Sequence, residues 1–222
     1  ALMNINIKVS IIEIADRILP MTFDKQASEI YEELLKIEGC EIILNNSAVE
    51  IRQDSKSKVC EVILKDDKKI KTDLVIIATG VRPNIELAQG TEISTNRGFL
   101  VDKKMRTNID DIYAAGDCCE PTIAILPVAA KQGKIAGYNM AGLNKEFQWL
   151  ISMNSVELCN IPSISAGQTN VSSAENIEIL SQLDKEKNVY KKIVIKENKV
   201  IGYIFVGSIE KAGIFTMMIN DK

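Results

Sequence analysis

Histidine is missing altogether from the 222 residues of this chain. Its absence removes every Ser-His and Cys-His nucleophilic pair, and with them the commonest general acid–base side chain. Cysteine is sparse and scattered, as Cys40, Cys60, Cys118, Cys119 and Cys159, with no C-x-x-C pair. Without histidine and without that spacing, nothing in the sequence has the form of a zinc site. Reduced thiols in a cytoplasmic protein are the expected state. No apolar run approaches the roughly 18 residues that a membrane span requires. A charged segment followed by an apolar one, the mark of a secretory signal, is also lacking at the N-terminus. The net charge of -3 supplies no field that would favour nucleic acid.

What is present is the composition of a folded protein, 46% hydrophobic and 26% charged, long enough for one large domain or two modest ones. "KVSIIEI" (8–14) reads as a strand buried in a parallel sheet, ending in Glu13 before a polar turn and Pro20. "TFDKQASEIYEELLKIEG" reads as a helix, with Ala27, Ile30, Leu34 and Ile37 at helical spacing and Gly39 as its stop. "CEIIL" follows as a strand, completing the strand–helix–strand crossover of an α/β fold. "SAVEIRQ" and "KVCEVILKDDKKIKTDLVIIATG" predict an antiparallel meander that hands over to a buried strand, "DLVIIATG". "GFLVD" and "DIYAAGD" are two further strand candidates, and "TIAILPVAAKQGKIAGYNMAG" a helix with Pro127 in its first turn and Gly142 as its stop. From about residue 146 the pattern changes to short strands, with a hairpin around Glu197-Asn198 and a terminal helix from about Ser208.

Three features carry chemistry. Glu13 ends a strand that leads into a helix, where dinucleotide-binding folds keep an acid that accepts hydrogen bonds from the adenosine ribose. Such an acid repels a 2′-phosphate, which favours NADH over NADPH; the plainer alternative is a solvated strand-end glutamate. The G-x-G-x-x-G turn that belongs about 20 residues earlier is not there. "TDLVIIATG" and "IYAAGD" both finish in small residues, which let the backbone approach a flat or phosphorylated ligand. Asp117 then stands where strand ends form a ligand crevice, able to accept from a ribityl hydroxyl, while the helix near Pro127 could aim free N–H groups at a ligand carbonyl. A lone Gly-Asp is usually only a turn. The adjacent Cys118 and Cys119 could form a strained disulfide or take electrons from a flavin, but two small residues packed under the helix is the favoured reading. Trp149 and the Phe and Tyr positions read as packing.

"VIIATGVRPN", "GFLVDKKMRTNIDDIYAAGDCCE" and "PVAAKQGKIAGYNMAG", in that order, resemble the second half of the FAD-dependent pyridine nucleotide-disulfide oxidoreductases. "KVSIIEIADRILPMTFDKQASEI" resembles the NADH-domain strand, loop and helix of the same family, and "YKKIVIKENKVIGYIFVGSIEKAG" is similar to its NADH:rubredoxin oxidoreductase and nitrite reductase branch. By this resemblance Asp117, with Gly116 beside it, holds the FAD ribityl chain. Thr79 and Gly80 match the Ala-Thr-Gly stretch at the cofactor crossing, Val128 a position close to the isoalloxazine pyrimidine, and Glu13 the acid that recognises NADH ribose.

The departures are as informative. The family's FAD and NAD glycine turns, its redox Cys-x-x-x-x-Cys and its C-terminal His-Glu pair are all absent. The expectation is therefore roughly the C-terminal half of an enzyme, an α/β remainder of two Rossmann-like dinucleotide-binding domains followed by a small α+β domain. Residues 1–82 would belong to the NADH domain, 83–145 to the FAD domain and 146–222 to the C-terminal interface domain. The intact enzyme would pass hydride from NADH to FAD and electrons on to an acceptor, with no residue here named as an acid–base catalyst. An NADH oxidase, a CoA-disulfide reductase or a non-catalytic contact piece are the alternatives. The chain alone is expected to fold, to hold little FAD, to be inactive and to self-associate through uncovered strand edges.

Overall fold

The computed structural model describes residues 2–148, 151–171 and 176–220. Trp149 lies outside the described residues. The chain divides into two compact units, one made of Ala1–Ile76 with Ile151–Lys222 and the other of Ile77–Leu150.

The first unit opens with the crossover that the sequence predicts. β1 (Ser10–Ile12), α1 (Lys25–Ile37) and β2 (Glu41–Ile43) follow in order, and the two strands pair in parallel with Ser10 opposite Glu41. α1 starts where it does because Asp24 caps it, Oδ1 accepting from the Ala27 N–H at 3.1 Å. It stops at Gly39, whose φ of +88° turns the chain out of the helix while its N–H reaches the Lys36 carbonyl. β3 (Ala48–Gln53), β4 (Val59–Leu64) and β5 (Lys69–Lys71) then form the antiparallel meander.

The second unit is less regular than the sequence predicts. β6 (Phe99–Leu100) and β7 (Cys119–Glu120) pair in parallel over two residues each, and α2 (Leu126–Met140) follows, with Pro127 in its first turn and Gly142 just beyond its end. The expected strand "DLVIIATG" does not form. Leu74, Ile76, Ile77 and Val81 are 65%, 64%, 74% and 82% exposed. "DIYAAGD" is not a strand either and contributes only an isolated bridge from Tyr113 to Arg106. The reason is physical: a strand buried on both faces needs a hydrogen-bonded neighbour on each side, and among the described residues no strand pairs with "DLVIIATG" while "DIYAAGD" meets only the 105–107 backbone on one side. Side chains add to the order of this unit. Asp102 accepts from the Lys104 and Arg106 N–H groups, and Val128 and Ala136 pack with Met105 and Phe147.

The remainder of the first unit is a five-stranded antiparallel sheet. It comprises β8 (Met153–Leu158), β9 (Ile161–Gly167), β10 (Ile177–Asp184), β11 (Val189–Lys196) and β12 (Lys199–Val206), in the spatial order β10-β11-β12-β9-β8. The hairpin between β11 and β12 turns at Glu197-Asn198, both at positive φ, as its two-residue loop requires. α3 (Ala212–Asn220) begins a turn later than expected and lays Ala212, Phe215 and Ile219 on Tyr203, Phe205 and Ala166.

This sheet and α1 share one core. Phe23, Tyr31 and Leu35 pack with Tyr190, Ile204 and Val206. At its edge the free oxygen of the Asp24 cap, Oδ2, accepts from both the Tyr190 hydroxyl and the Lys192 ammonium, each at 2.8 Å. Lys192 also donates to the Thr169 carbonyl at 3.0 Å, so a nearly buried charge is both paired and hydrogen-bonded. The Tyr31 hydroxyl donates across the same boundary to the Ile161 carbonyl. Neither end of this network is visible in sequence, because its members are separated by well over a hundred positions.

Candidate functional site

The Gly116-Asp117 turn is the centre of the second unit's chemistry. Gly116 is buried, with φ at +91°, a conformation that costs a side-chain-bearing residue roughly 1 kcal/mol or more. Both of its backbone groups are tied. Its N–H donates to the Gln132 Oε1 at 2.8 Å, and its carbonyl accepts from the Cys119 N–H at 3.0 Å. Asp117, carried by that turn, is exposed, and its carboxylate has no hydrogen bond or ion pair among the described residues. An anionic acceptor without a protein partner on a rigid glycine turn suits a ligand that brings hydroxyl donors.

The start of α2 offers less than the sequence promises. Its N-cap, Ile125, supplies no side-chain bond. The Val128 and Ala129 N–H groups both turn back to the Ile125 carbonyl, and Pro127 has no N–H, which leaves the Leu126 N–H as the donor of the first turn without a partner among the described residues. Val128 is 2% exposed, its side chain in the core with Met105 and Phe147. Thr79 and Gly80 lie in the exposed stretch without regular structure, Gly80 with φ at +84°. No hydrogen bond among the described residues brings them to Gly116.

Cys118 and Cys119 are free thiols. Cys119 is buried and its thiol is pushed up to about 12, first by burial and then by the neighbouring Cys118. At neutral pH it is therefore a thiol, not the thiolate that redox exchange needs. Gly98 explains the tight packing: a Cβ there would lie 2.7 Å from the Cys118 carbonyl oxygen. Small residues packed closely is what the pair amounts to.

Glu13 belongs to the first unit. Its N–H extends the ladder to the Ile43 carbonyl at 2.9 Å, and its Oε1 accepts from the Ala15 N–H at 2.9 Å. This holds the half-buried carboxylate in one orientation and leaves its second oxygen without a partner among the described residues. A groove of about 500 Å³ runs along β4 and β5 in the same unit, between Asp54, Lys58, Lys71 and Asp73, and holds none of the predicted residues. Sequence reasoning missed Gln132. Its signal was there: Gln132 is the lone polar residue on the i, i+4, i+8 row Val128, Gln132 and Ala136, which faces the core.

Residues 1–133 match the pyridine nucleotide-disulphide oxidoreductase family, and residues 153–222 match the rubredoxin NAD+ reductase C-terminal domain. The chain is 29% identical over 222 residues to a nitrite reductase [NAD(P)H] of Bacillus subtilis, covering 98% of this chain and 27% of that protein. It is 33% identical over 143 residues to an NADH-rubredoxin oxidoreductase of Clostridium acetobutylicum, covering 63% of this chain and 37% of that protein. Among solved structures, a NAD-dependent persulfide reductase from A. fulgidus superposes with a TM-score of 0.82 at 25% identity, over 99% of this chain and 45% of that one. The chain thus spans less than half the length of each.

Proposed function

Because the chain belongs to the pyridine nucleotide-disulphide oxidoreductase family, we propose that it contributes flavin-, nicotinamide- and acceptor-facing parts to an FAD-dependent NADH oxidoreductase. FAD, when bound, supplies the chemistry: it takes hydride from a nicotinamide and hands electrons to an acceptor. The chain's own residues bind and orient. Asp117 would accept from the ribityl hydroxyls, the Leu126 N–H would face the ring end, and Glu13 would accept from the ribose hydroxyls of NADH with the oxygen that Ala15 leaves free. Thr79, Gly80 and the backbone at Val128 would line the flavin. Pyrophosphate, the most highly charged part of either dinucleotide, finds no glycine turn in this sequence.

The observation that carries the reading is the unpartnered Asp117 carboxylate on the fixed Gly116 turn. In the FAD-loaded enzyme, Asp117→Ala is expected to weaken flavin binding by about 1.5–3 kcal/mol, the worth of a charge-assisted hydrogen bond. Flavin content and affinity equal to the wild type would sink the assignment. Glu13→Arg is expected to move the preference from NADH toward NADPH; a wild type that uses both equally well would overturn the role of Glu13.

An electron acceptor protein of the rubredoxin kind, or a nitrite reductase centre, is the proposed destination of the electrons, following the names of the relatives at 33% and 29% identity. An NADH oxidase of Methanocaldococcus jannaschii, 38% identical over 149 residues, favours dioxygen as a second reading. Comparing NADH oxidation by oxidised rubredoxin under anaerobic conditions with NADH oxidation in air-saturated buffer without it separates the two.

A further inference from the structure

Gln132 is fully buried, yet no role described above uses it. A carboxamide taken out of water costs free energy unless both its ends are hydrogen-bonded. Here both are: Oε1 accepts from the Gly116 N–H at 2.8 Å and Nε2 donates to the Thr122 hydroxyl at 3.4 Å. The amide therefore spans the segment that carries Asp117, from the glycine just before it to the threonine that precedes α2. Ala129, one helical turn before Gln132, lies 3.5 Å from where a Gly116 Cβ would stand, so helix and turn approach closely at this point.

We propose that Gln132 is a positioning residue for the flavin site, setting the direction in which Asp117 offers its carboxylate. The inference rests on the reading of Asp117 as the ribityl acceptor. Gly116, with no Cβ, resists rotation of its own peptide very little. The inward Gly116 N–H is fixed by Gln132, and the Cys119 N–H fixes the carbonyl on the other side. With both held, the exposed side of the turn is the one left to Asp117. An apolar residue at 132 would fill the same volume and orphan the Gly116 N–H, which the turn could satisfy only by reorienting toward water.

The test compares Gln132→Met, Gln132→Glu, Thr122→Val and Asp117→Ala. In the holoenzyme, Gln132→Met is expected to lower FAD affinity about tenfold, the worth of one net hydrogen bond, and to shift the flavin absorption spectrum. Gln132→Glu, which keeps an acceptor for the Gly116 N–H, recovers most of the affinity, and Thr122→Val loses less than Gln132→Met. In the 222-residue chain without flavin, Gln132→Met speeds amide exchange at Gly116 and Cys119, the two amides tied in the turn, while the amides in the middle of α2 stay protected. A general loss of fold would instead release all of them and would not be rescued by Gln132→Glu. FAD affinity unchanged in Gln132→Met while Asp117→Ala binds weakly overturns the proposal. FAD affinity unchanged in Asp117→Ala overturns the flavin reading of the turn, and the exchange rates then say separately whether Gln132 holds it.

Discussion

"YIFVG" (203–207) and "VIIATG" (75–80) are nearly equivalent as sequence, apolar runs rich in β-forming residues and ending in glycine. Their fates differ completely. Tyr203 to Val206 lie in β12, between β11 and β9, and are all buried; Ile76 and Ile77 are 64% and 74% exposed and pair with nothing among the described residues. Apolarity alone does not bury a strand. β12 is covered because a two-residue hairpin delivers β11 to one edge, β9 closes the other, and α3 and α1 occupy the faces. The stretch from 74 to 81 carries the same driving force, but among the described residues no strand pairs with its backbone.

The comparison can be broken most decisively by truncation. Tyr203→Ala removes a ring packed at 4.8 Å from Phe205 and 6.0 Å from Phe215, together with a hydroxyl paired to Thr216. A loss of about 3–5 kcal/mol in urea unfolding is expected. Ile77→Ala should change stability by no more than about 0.5 kcal/mol, since little leaves the interior. Similar losses at both positions would mean that residues 74–81 are covered in solution.

Asp24→Ala probes why the first unit holds together. It strands Lys192, whose side chain is 9% exposed, and removes the cap of α1, so a loss of about 3–5 kcal/mol is expected. Lys192→Met, which replaces the charge by apolar bulk, should cost much less. If the two variants melt alike, the buried charge is not what matters.

A smaller effect separates the two units by pH. Burial, and then the charge of Asp24, raise the Tyr190 hydroxyl above its ordinary range. A raised group stabilises fully below its unfolded value, about 10 for tyrosine, and that stability is lost as pH climbs toward the folded value. The first unit should therefore weaken above about pH 10, and Tyr190→Phe should flatten the decline. Asp102 in the second unit goes the other way. Burial alone would raise it, but hydrogen bonds from the Arg106 and Lys104 backbones and the Arg106 guanidinium lower it. Its contribution is present above about pH 4 and lost as pH falls through the lowered value. Thermal melts from pH 3 to 11 that show no such divergence would contradict both assignments.

The smallest expected change is in stability and the informative one in size. Ile76→Thr with Ile77→Thr should leave the unfolding midpoint within about 0.5 kcal/mol of the parent while lowering self-association, read by sedimentation. Equal sedimentation of variant and parent would mean that Ile76 and Ile77 drive no self-association, and the exposed Ile214, Met217 and Met218 of α3 would be the next residues to test.

By itself the sequence determined whatever depends on neighbours along the chain. The Asp24 start and Gly39 stop of α1, the Glu197-Asn198 turn, the crossover of β1 and β2 and the Gly116-Asp117 pair are all local signals, set by dihedral preference and side-chain period. The family resemblance was legible for the same reason, since its motifs are contiguous. Only the tertiary structure decided which apolar runs become strands, because a ladder needs an edge that no single segment contains. It also decided that Val128 faces a core, that Asp24 reaches Tyr190 and Lys192 from far along the chain, and that Gln132 meets the Gly116 N–H. Those contacts depend on where two distant backbones come to rest, and a residue's type does not encode that distance.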